Sequence, residues 1–405
     1  MDIKNIKKEF PIFKQKINGK PLVYLDSANS SQKPKVVIDK ISNFYETEFS
    51  NVGRSVHTLA VKATNRFEAT RDKVQKYLNA KHREEIIFTK GATEAINLVA
   101  SSYGKKYINK GDEILITELE HHSNYVPWNF LRTEKEAVIK FAQVNESGDV
   151  EIEEIKKLIT SKTKIIAITH ISNVTGAVLP ITKIVDLAKE KNIPVLIDGT
   201  QGAPHSKIDM QKMGCDFYAI SCHKMYGPNG LGVLYMKKKW VDELPPYQGG
   251  GGMINEVKKD NITFASANTK FEAGTMQTAE VVAFAESLNF IENLGIKNIS
   301  SHENEILQYG LETLRKNNSV NIIGDPKERG SVLCFTLKNI HPHDIATILD
   351  DDGVAIRAGH HCCQILHDKL GIPATARASI GVYNDKEDID KLSDAIKNCQ
   401  KVFQN

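Results

Sequence analysis

Several features that mark whole classes of protein are missing from this sequence. Its 405 residues carry a formal net charge of only +3, which argues against nucleic acid or a membrane surface as a partner. No apolar run approaches the length of a membrane span, and the start MDIKNIKKEFPIF lacks the continuous apolar core of a secretory signal. We therefore predict a soluble, cytoplasmic protein with no nucleic-acid and no membrane partner.

The usual signatures of several cofactors are also missing. The six cysteines include no CxxC pair, as expected for reduced thiols inside a cell. No GxGxxG follows a strand and no GxxxxGK[ST] occurs, which disfavours nicotinamide and P-loop sites. The pairs His121–His122 and His360–His361 are adjacent residues, whose side chains point opposite ways on an extended chain. With no further ligands at metal-site spacing, we predict no metal site.

What is present is a regular alternation of strands and helices. Apolar runs at 113–117, 164–169 and 195–198 are typical of buried strands, and helical spacing occurs between them. This alternation predicts an α/β fold with a mostly parallel sheet, in which ligands collect at the carboxyl ends of the strands. A long helical pattern at 278–293 then leads into a smaller α/β domain at the C-terminal end.

Lys224 lies where a buried strand should end. The apolar run up to Ser221 is followed by Cys222, His223 and Lys224 and then by a Gly-Pro turn, so the amine is expected at the rim of the sheet. Such a lysine can act as a Schiff-base nucleophile. The commoner alternative is a lysine whose amine simply extends from a strand end into water.

Two further positions would complete a cofactor site. Asp198 ends the buried VLID run and either pairs with the protonated nitrogen of a pyridine ring or caps the following turn. Thr93 follows the glycine turn between a strand and a helix, where backbone N–H groups can hold a phosphate, although an ordinary helix cap has the same pattern. An amine, a carboxylate and a phosphate site together suit pyridoxal phosphate.

The C-terminal part adds a candidate nucleophile. Cys362 lies beside histidines in the loop Arg357–Gln364, where it is either a thiolate nucleophile or an inert small residue. Arg377 could bind a carboxylate with its planar guanidinium or form a structural ion pair.

Eight motifs in one order carry a family resemblance from about residue 20 to the C-terminus: TKGATEAIN, EHHSNYVPW, LIDGTQGAPH, SCHKMYGPNGLGVLY, QGGGGMI, FEAGT, RAGHHC and RASIGVYN. This set resembles the SUF-type (group II) cysteine desulfurases, within the class V aminotransferase-like family of fold type I pyridoxal phosphate enzymes. The resemblance implies a large cofactor-binding domain (21–285) around a seven-stranded, mostly parallel sheet. It also implies an N-terminal arm (1–20) and a small domain (286–405) that carries the catalytic cysteine loop.

The resemblance also implies roles for individual residues. Lys224 would form the Schiff base with pyridoxal 5'-phosphate, His121 would stack on its ring, and Asp198 would bind the ring nitrogen. Gln201 would bind the phenolic oxygen. The phosphate would be bound by Thr93, Ser221 and His223, and by Thr275 from the other subunit of a homodimer. Asn173, Arg357 and Arg377 would bind the substrate. Cys362 would accept the sulfur.

The reaction implied is conversion of L-cysteine to L-alanine, with a persulfide left on Cys362 for an acceptor protein in iron–sulfur cluster assembly. In the HPHD pattern, His343 would contact the zinc of a small SUF-type acceptor, whereas a helix-capping turn with Asp344 is the structural alternative. Two other functions stay open. One is a selenocysteine lyase or another β-eliminating enzyme, and the other is a sulfur-relay interaction protein with weakened turnover.

The sequence departs from the family pattern at a few positions. Asn29 and Cys363 stand where alanine is usual, Gly53 replaces a histidine in NVGRSVHTL, and Met276 differs within FEAGTMQTAE. Cys363 is interpreted as an alanine-sized filler, with a second thiol that resolves the Cys362 persulfide as the alternative. A disulfide between these adjacent cysteines would be strained.

Overall fold

The fold is described from a computed structural model that covers residues 1–53 and 55–403. Three short strands come first: β1 (Lys16–Ile17), β2 (Lys20–Pro21) and β3 (Val23–Tyr24). The central strands follow as β4 (Ile86–Thr89), β5 (Glu113–Thr117), β6 (Val138–Ala142), β7 (Thr163–Thr169), β8 (Val195–Asp198), β9 (Phe217–Ser221) and β10 (Gly232–Met236). The remaining strands are β11 (Ile254–Val257), β12 (Ile262–Phe264), β13 (Val320–Ile322), β14 (Val332–Leu337), β15 (Val354–Ala355), β16 (Arg357–Gly359) and β17 (Thr375–Ser379).

Helices surround these strands. In the first part of the chain they are α1 (Ile3–Lys8), α2 (Lys35–Thr47), α3 (Thr58–Tyr77), α4 (Ala92–Tyr107), α5 (Val126–Lys135), α6 (Ile152–Leu158), α7 (Ile181–Glu190), α8 (Met210–Met213) and α9 (Lys238–Glu243). The later ones are α10 (Thr278–Leu294), α11 (Ile296–Arg315), α12 (Pro342–Asp351), α13 (Gln364–Leu370) and α14 (Lys386–Val402). No helix among the described residues is both long and apolar enough to cross a membrane.

The central sheet has seven strands in the order β4-β10-β9-β8-β7-β5-β6. All neighbours are parallel except at β10, which is antiparallel to both β4 and β9. Every residue of β5, β8 and β9 is buried, which is why these strands read as continuous apolar runs rather than alternating ones. The predicted α/β fold with a mostly parallel seven-stranded sheet is confirmed.

Each face of this sheet is covered by a separate apolar cluster. On one face α4 and α5 contribute Leu98 and Trp128, and on the other face α3, α7 and α10 contribute Phe67, Ile184 and Phe284. Helices on both faces leave only the strand ends open to a ligand. The sheet therefore directs any site toward the loops at its carboxyl edge.

A second sheet lies in the C-terminal part and is entirely antiparallel, in the order β13-β14-β17-β16. Helices α11, α12 and α14 share an apolar cluster with it. Helix α11 begins at Ile296, directly after Gly295, the single residue with φ of 80° that separates it from α10.

The N-terminal residues contact both parts of the molecule. Lys7 forms an ion pair of 3.1 Å with Asp388 of α14, and β3 pairs in parallel with β15. The buried Phe10 ring packs edge-on against Tyr226 and Tyr383, with centroids 6.0 Å and 4.9 Å away. The boundaries 1–20, 21–285 and 286–405 stay a prediction.

Candidate active site

The carboxyl ends of four neighbouring parallel strands, β5, β7, β8 and β9, open onto one cavity of about 210 Å³. The residues that line it are Asn29, Ala92, Thr93, His121, Ser123, Thr169, Ile171, Asn173, Asp198, Thr200, Gln201, Ser221, His223, Lys224, Arg357 and Cys362. Most of the predicted site residues are in this set. Three predicted residues do not line the cavity: Thr275, Arg377 and His343.

Lys224 ends the single 3₁₀ turn that follows β9. Burial of the amine, together with the positive charge of Arg377, lowers the pKa of Lys224 to about 8, while the carboxylate of Asp198 opposes the shift. A larger fraction of neutral amine is therefore present near pH 7 than in an exposed lysine. Such an amine is suited to bind an aldehyde and to exchange protons with a substrate.

Asp198 is the last residue of β8 and is only 5% exposed. Its Oδ1 accepts a hydrogen bond of 3.0 Å from the backbone N–H of Thr200. Burial raises the pKa of Asp198, while the hydrogen bonds from Thr200 and the charge of Lys224 oppose that effect. A protonated ring nitrogen facing this carboxylate would satisfy it in the cavity.

An anion site lies at the start of α4. Its N-cap, Gly91, has no side chain to cap the helix, and Ala92 and Thr93 of the first turn line the cavity. Ser221 Oγ accepts from the N–H of Ala92 at 3.0 Å, and the hydroxyls of Thr93 and Ser123 are 2.7 Å apart. These donors and hydroxyls suit a phosphate.

His121 follows β5 and lies half-buried at the cavity wall. Burial lowers the pKa of His121 to about 3, and the charge of Lys224 adds to the effect. Its Nδ1 accepts from the N–H of Ser123 at 3.0 Å, which leaves the ring proton on Nε2. At neutral pH the ring is therefore uncharged, as a group stacked on a cofactor ring would be.

The loop between β16 and α13 carries the candidate nucleophile. His361 and Cys362 both adopt the left-handed region, with φ of 52° and 58°. Their backbone is held by residues that follow β5 and β7: the N–H of His122 donates to the Cys362 carbonyl, and Asn173 Nδ2 donates to the His361 carbonyl, both at 2.7 Å. This conformation turns the Cys362 side chain into the cavity.

Cys363 points away from the cavity. Its side chain is 0% exposed, and its thiol contacts the carbonyls of Leu119 and Glu120 at 3.3 Å and 3.2 Å. Burial raises the pKa of the Cys363 thiol well above its usual value. These contacts favour a packing role for Cys363 over a second reactive thiol. All six cysteines in the described part of the chain are free thiols.

The two arginines differ in position. Arg377 is 0% exposed and lies behind the cavity wall, where Nη1 donates to the Asn173 carbonyl at 3.0 Å and Nη2 pairs with Asp26 at 3.3 Å. Its buried Nε has no hydrogen-bond partner among residues 1–53 and 55–403. Arg357, by contrast, lines the cavity beside Cys362. The sequence did not predict Asp26 as a site residue, because no local pattern indicates that it contacts an arginine 351 positions away.

Two other predicted residues lie outside the cavity of this chain. Thr275 is exposed in the loop before α10. His343 is exposed in the first turn of α12, and its ring stacks on that of His341 with centroids 5.3 Å apart. The N-cap of α12 is His341, whose Nδ1 accepts from the His343 N–H, so the capping alternative holds with a residue other than Asp344.

The residues present fit pyridoxal phosphate. One cavity holds a buried amine, a buried carboxyl, a histidine ring and the N-terminus of α4 with nearby hydroxyls. These groups match the aldehyde, the ring nitrogen, the ring face and the phosphate of that cofactor. All of these groups come from residues of this one chain.

Similar proteins give the same picture. The Aminotransferase class-V family matches residues 23–392. A probable cysteine desulfurase of Halalkalibacterium halodurans is 45% identical over 403 residues, which cover 100% of this chain and 99% of that protein. Another from Staphylococcus epidermidis is 46% identical over 403 residues, which cover 99% of this chain and 98% of that protein.

Solved structures share the fold. The cysteine desulfurase CsdA of Escherichia coli, in an S-sulfonic acid form, has a TM-score of 0.92 and 34% identity, with 99% of both chains covered. The apo cysteine desulfurase of Thermococcus onnurineus has a TM-score of 0.92 and 32% identity, with 98% of this chain and 97% of that chain covered. From these matches, which extend over nearly its whole length, the chain belongs to the aminotransferase class-V family.

Proposed function

We propose that this protein is a pyridoxal phosphate-dependent cysteine desulfurase that converts L-cysteine to L-alanine and holds the released sulfur as a persulfide on Cys362. The observation that carries the proposal is that the Lys224 amine, the Asp198 carboxyl and the Cys362 thiol share one small cavity. The amine and carboxyl serve amino-acid chemistry in general, whereas the thiol directs it toward sulfur. Two relatives of nearly full length are named probable cysteine desulfurases.

The cofactor-binding roles implied by the family resemblance are supported by position in the cavity. Lys224 would bind the aldehyde, Asp198 the ring nitrogen, and Gln201 the phenolic oxygen. The neutral ring of His121 would stack on the pyridine. Thr93, Ser221 and His223 would bind the phosphate together with the N-terminus of α4, where Ala92 already donates to Ser221. When bound, the cofactor supplies an electron sink for the carbon skeleton of the substrate.

Substrate binding falls to three residues. Arg357 lines the cavity and can present its guanidinium to the carboxylate of L-cysteine. Asn173 also lines the cavity. Arg377 lies behind Asn173 and would position it for the substrate by donating to its carbonyl. Lys224 would accept the α-proton and return a proton to the carbon skeleton, which its pKa of about 8 permits near neutral pH.

The sulfur step balances without an external oxidant. The Cys362 thiolate attacks the sulfur of L-cysteine, so an S–S bond forms as the C–S bond breaks. The electron pair of the broken bond stays with carbon, which takes up a proton and leaves as alanine. Sulfur is thereby oxidised to the persulfide level while carbon is reduced by the same amount.

The homodimer and the sulfur acceptor are part of the same proposal. Exposed apolar side chains near the start of α3 support a subunit interface: Val56 is 92% exposed, and Leu59 and Val61 lie beside it. In such a dimer the exposed Thr275 would reach the phosphate of the partner subunit's site. The exposed His343 would contact the zinc of a small acceptor protein that serves iron–sulfur cluster assembly, and the setting would be the cytoplasm.

The function is tested by incubating holoenzyme with L-cysteine and a thiol while alanine and sulfide are measured together. We expect equal amounts of both from the wild type, and at least a 10²-fold loss of alanine formation in Cys362→Ser. L-Selenocysteine is run in parallel. If Cys362→Ser retained full activity on L-cysteine, a general β-eliminating enzyme would be the better assignment, and persistence on selenocysteine alone fits the proposal.

The acceptor part has a separate test. A purified zinc-containing acceptor is titrated against the wild type, His343→Ala and His341→Ala, which differ in the exposed pair of rings. Loss of stimulation in His343→Ala, with retention in His341→Ala, supports zinc contact. Equal stimulation of all three would remove this part and leave the desulfurase proposal intact.

A further inference from the structure

Asn29 lies in the turn after β3 and lines the cavity. Its side-chain Oδ1 accepts a hydrogen bond of 2.9 Å from Nη1 of Arg357. Its Nδ2 donates to Asp26 Oδ2 at 3.0 Å. An ionised carboxylate such as that of Asp26 accepts hydrogen bonds but cannot donate them, so the amide nitrogen of Asn29 must face Asp26. The amide oxygen is thereby directed toward Arg357. Alanine at this position could make neither bond.

Arg357 in turn faces the nucleophile. Its Nη2 lies 3.6 Å from Cys362 Sγ. Arg377 has Asp26 as a carboxylate partner, but within residues 1–53 and 55–403 no carboxylate forms an ion pair with Arg357. The charge of Arg357 is therefore free to interact with whatever negative charge develops on the sulfur. A cation at this distance attracts negative charge on the sulfur.

The two observations form one chain of contacts, from Asp26 through Asn29 and Arg357 to Cys362. A long arginine side chain on its own has many rotamers and loses entropy when it is held in one of them. The Asn29 amide removes part of that freedom and selects the rotamer in which Nη2 faces the sulfur. The same geometry would serve the negatively charged terminal sulfur of a persulfide.

We propose that Asn29 is a positioning residue that holds the Arg357 guanidinium against Cys362, so that its positive charge faces the sulfur. The extension to a persulfide rests on the proposed function, whereas the position of the guanidinium does not. Asn29 is exposed and lies in a turn, so its replacement by alanine removes two hydrogen bonds without opening a cavity in the core.

The test is the ratio of the rates at which iodoacetate and iodoacetamide alkylate Cys362 in holoenzyme, followed by mass spectrometry of the Cys362 peptide. Iodoacetate is an anion and iodoacetamide is neutral, so a guanidinium beside the sulfur raises this ratio. We expect Asn29→Ala to lower the ratio by roughly 3- to 10-fold, because the positive charge is no longer held at the sulfur. A merely steric change would lower both rates equally and leave the ratio unchanged.

Three comparisons complete the design. Arg357→Ala should lower the ratio at least as much as Asn29→Ala, and the ratio of the double variant should be no lower than that of Arg357→Ala. Asn298→Ala changes an exposed asparagine on α11 and should match the wild type. A wild-type ratio in Asn29→Ala, equal slowing with both reagents, or additive effects in the double variant would each overturn the proposal. Alanine formation measured in parallel reports separately on the proposed function.

Discussion

Lys224 carries the one aliphatic amine among the described residues that line the cavity. A second buried lysine, Lys33, lies close by, and burial lowers its pKa to about 7. Its Nζ, however, donates to the His223 carbonyl at 2.8 Å and does not face the cavity. Two lysines thus have unusually neutral amines, and only their geometry distinguishes the one that can bind the cofactor.

This difference gives the first prediction. Lys224→Ala should lose the visible absorbance of the bound cofactor and lower alanine formation by roughly 10²- to 10⁴-fold, because it removes both the binding amine and the proton acceptor. Lys33→Met is the matched control and should keep the absorbance. An absorbance lost from Lys33→Met and kept in Lys224→Ala would show that the wrong amine has been assigned.

The loop that carries Cys362 is stabilised by a buried hydroxyl. Thr375 Oγ1 on β17 lies 2.9 Å from His361 Nε2, 3.0 Å from His367 Nε2 and 3.1 Å from Cys334 Sγ. His367 Nδ1 lies 3.0 Å from the Cys363 carbonyl and must donate to it, so its Nε2 accepts from Thr375. The threonine therefore links both ends of the strained loop to the small-domain sheet.

Thr375→Val tests that link. The substitution keeps the volume but leaves buried imidazole and thiol groups without their partner, which should lower the free energy of unfolding by about 1–3 kcal/mol in urea titrations. The loop should also open more often, so the buried Cys363 should react faster with iodoacetamide. Thr375→Ser should behave like the wild type. Unchanged stability and Cys363 reactivity in Thr375→Val would refute a role for the hydroxyl.

Much of the architecture could be predicted from the sequence because buried parallel strands have a strong pattern. The strands 113–117 and 195–198 were predicted with their observed bounds. The edge strand β6 was missed, since only Ala142 in it is fully buried and its VIKFA sequence resembles a surface segment. A strand can thus be predicted from its apolar sequence when both faces of the sheet are covered there, and is missed when it lies at an exposed edge.

Some residues of the site could likewise be predicted from local sequence patterns, and others could not. Lys224 and Asp198 each follow an apolar run and could be found from the sequence alone, and the family resemblance added the rest. The contact of Asn29 with Arg357 joins residues 328 positions apart, so no local pattern can predict it. The same holds for the direction of Cys363, which is set by a left-handed Cys362 and not by neighbouring residue types.

Among the described residues, four histidine rings have pKa values that burial lowers strongly, to about 3 for His121, about 4 for His170 and His223, and about 2 for His361. Burial also lowers the pKa of His122 and His367. In the unfolded chain each would titrate near 6.5. Below that pH the unfolded state binds protons that the folded state does not, so the folded state loses stability as the pH falls. Buried acids such as Asp198, with a raised pKa, oppose the effect in part.

We therefore predict that the free energy of unfolding falls between pH 6.5 and 4.5 by at least about 1.4 kcal/mol per pH unit, the effect of one net proton. Urea titrations at constant protein concentration measure it. Between pH 7 and 8 the contribution of these histidines is constant. Stability that stayed level or rose on acidification to pH 4.5 would show that the four rings are not buried in the neutral form.

Quaternary structure gives a prediction for Thr275. If it binds the phosphate of the other subunit, Thr275→Ala should weaken cofactor binding roughly 10- to 100-fold, as for loss of a hydrogen bond to a charged group. A hybrid dimer of one Lys224→Ala and one Thr275→Ala subunit then regains one intact site, with wild-type cofactor affinity in half of the sites. If the hybrid showed only the weakened affinity, Thr275 would serve its own chain.

The most direct test of the central claim is a single-turnover experiment with holoenzyme, a limiting amount of L-cysteine and no added thiol. Alanine is quantified, and the Cys362 peptide is weighed by mass spectrometry. The account predicts one alanine for each Cys362 peptide that gains one sulfur atom, with the Cys363 position unmodified, and neither product in Cys362→Ser. Alanine formed without sulfur on Cys362, or sulfur found on Cys363 instead, would contradict it.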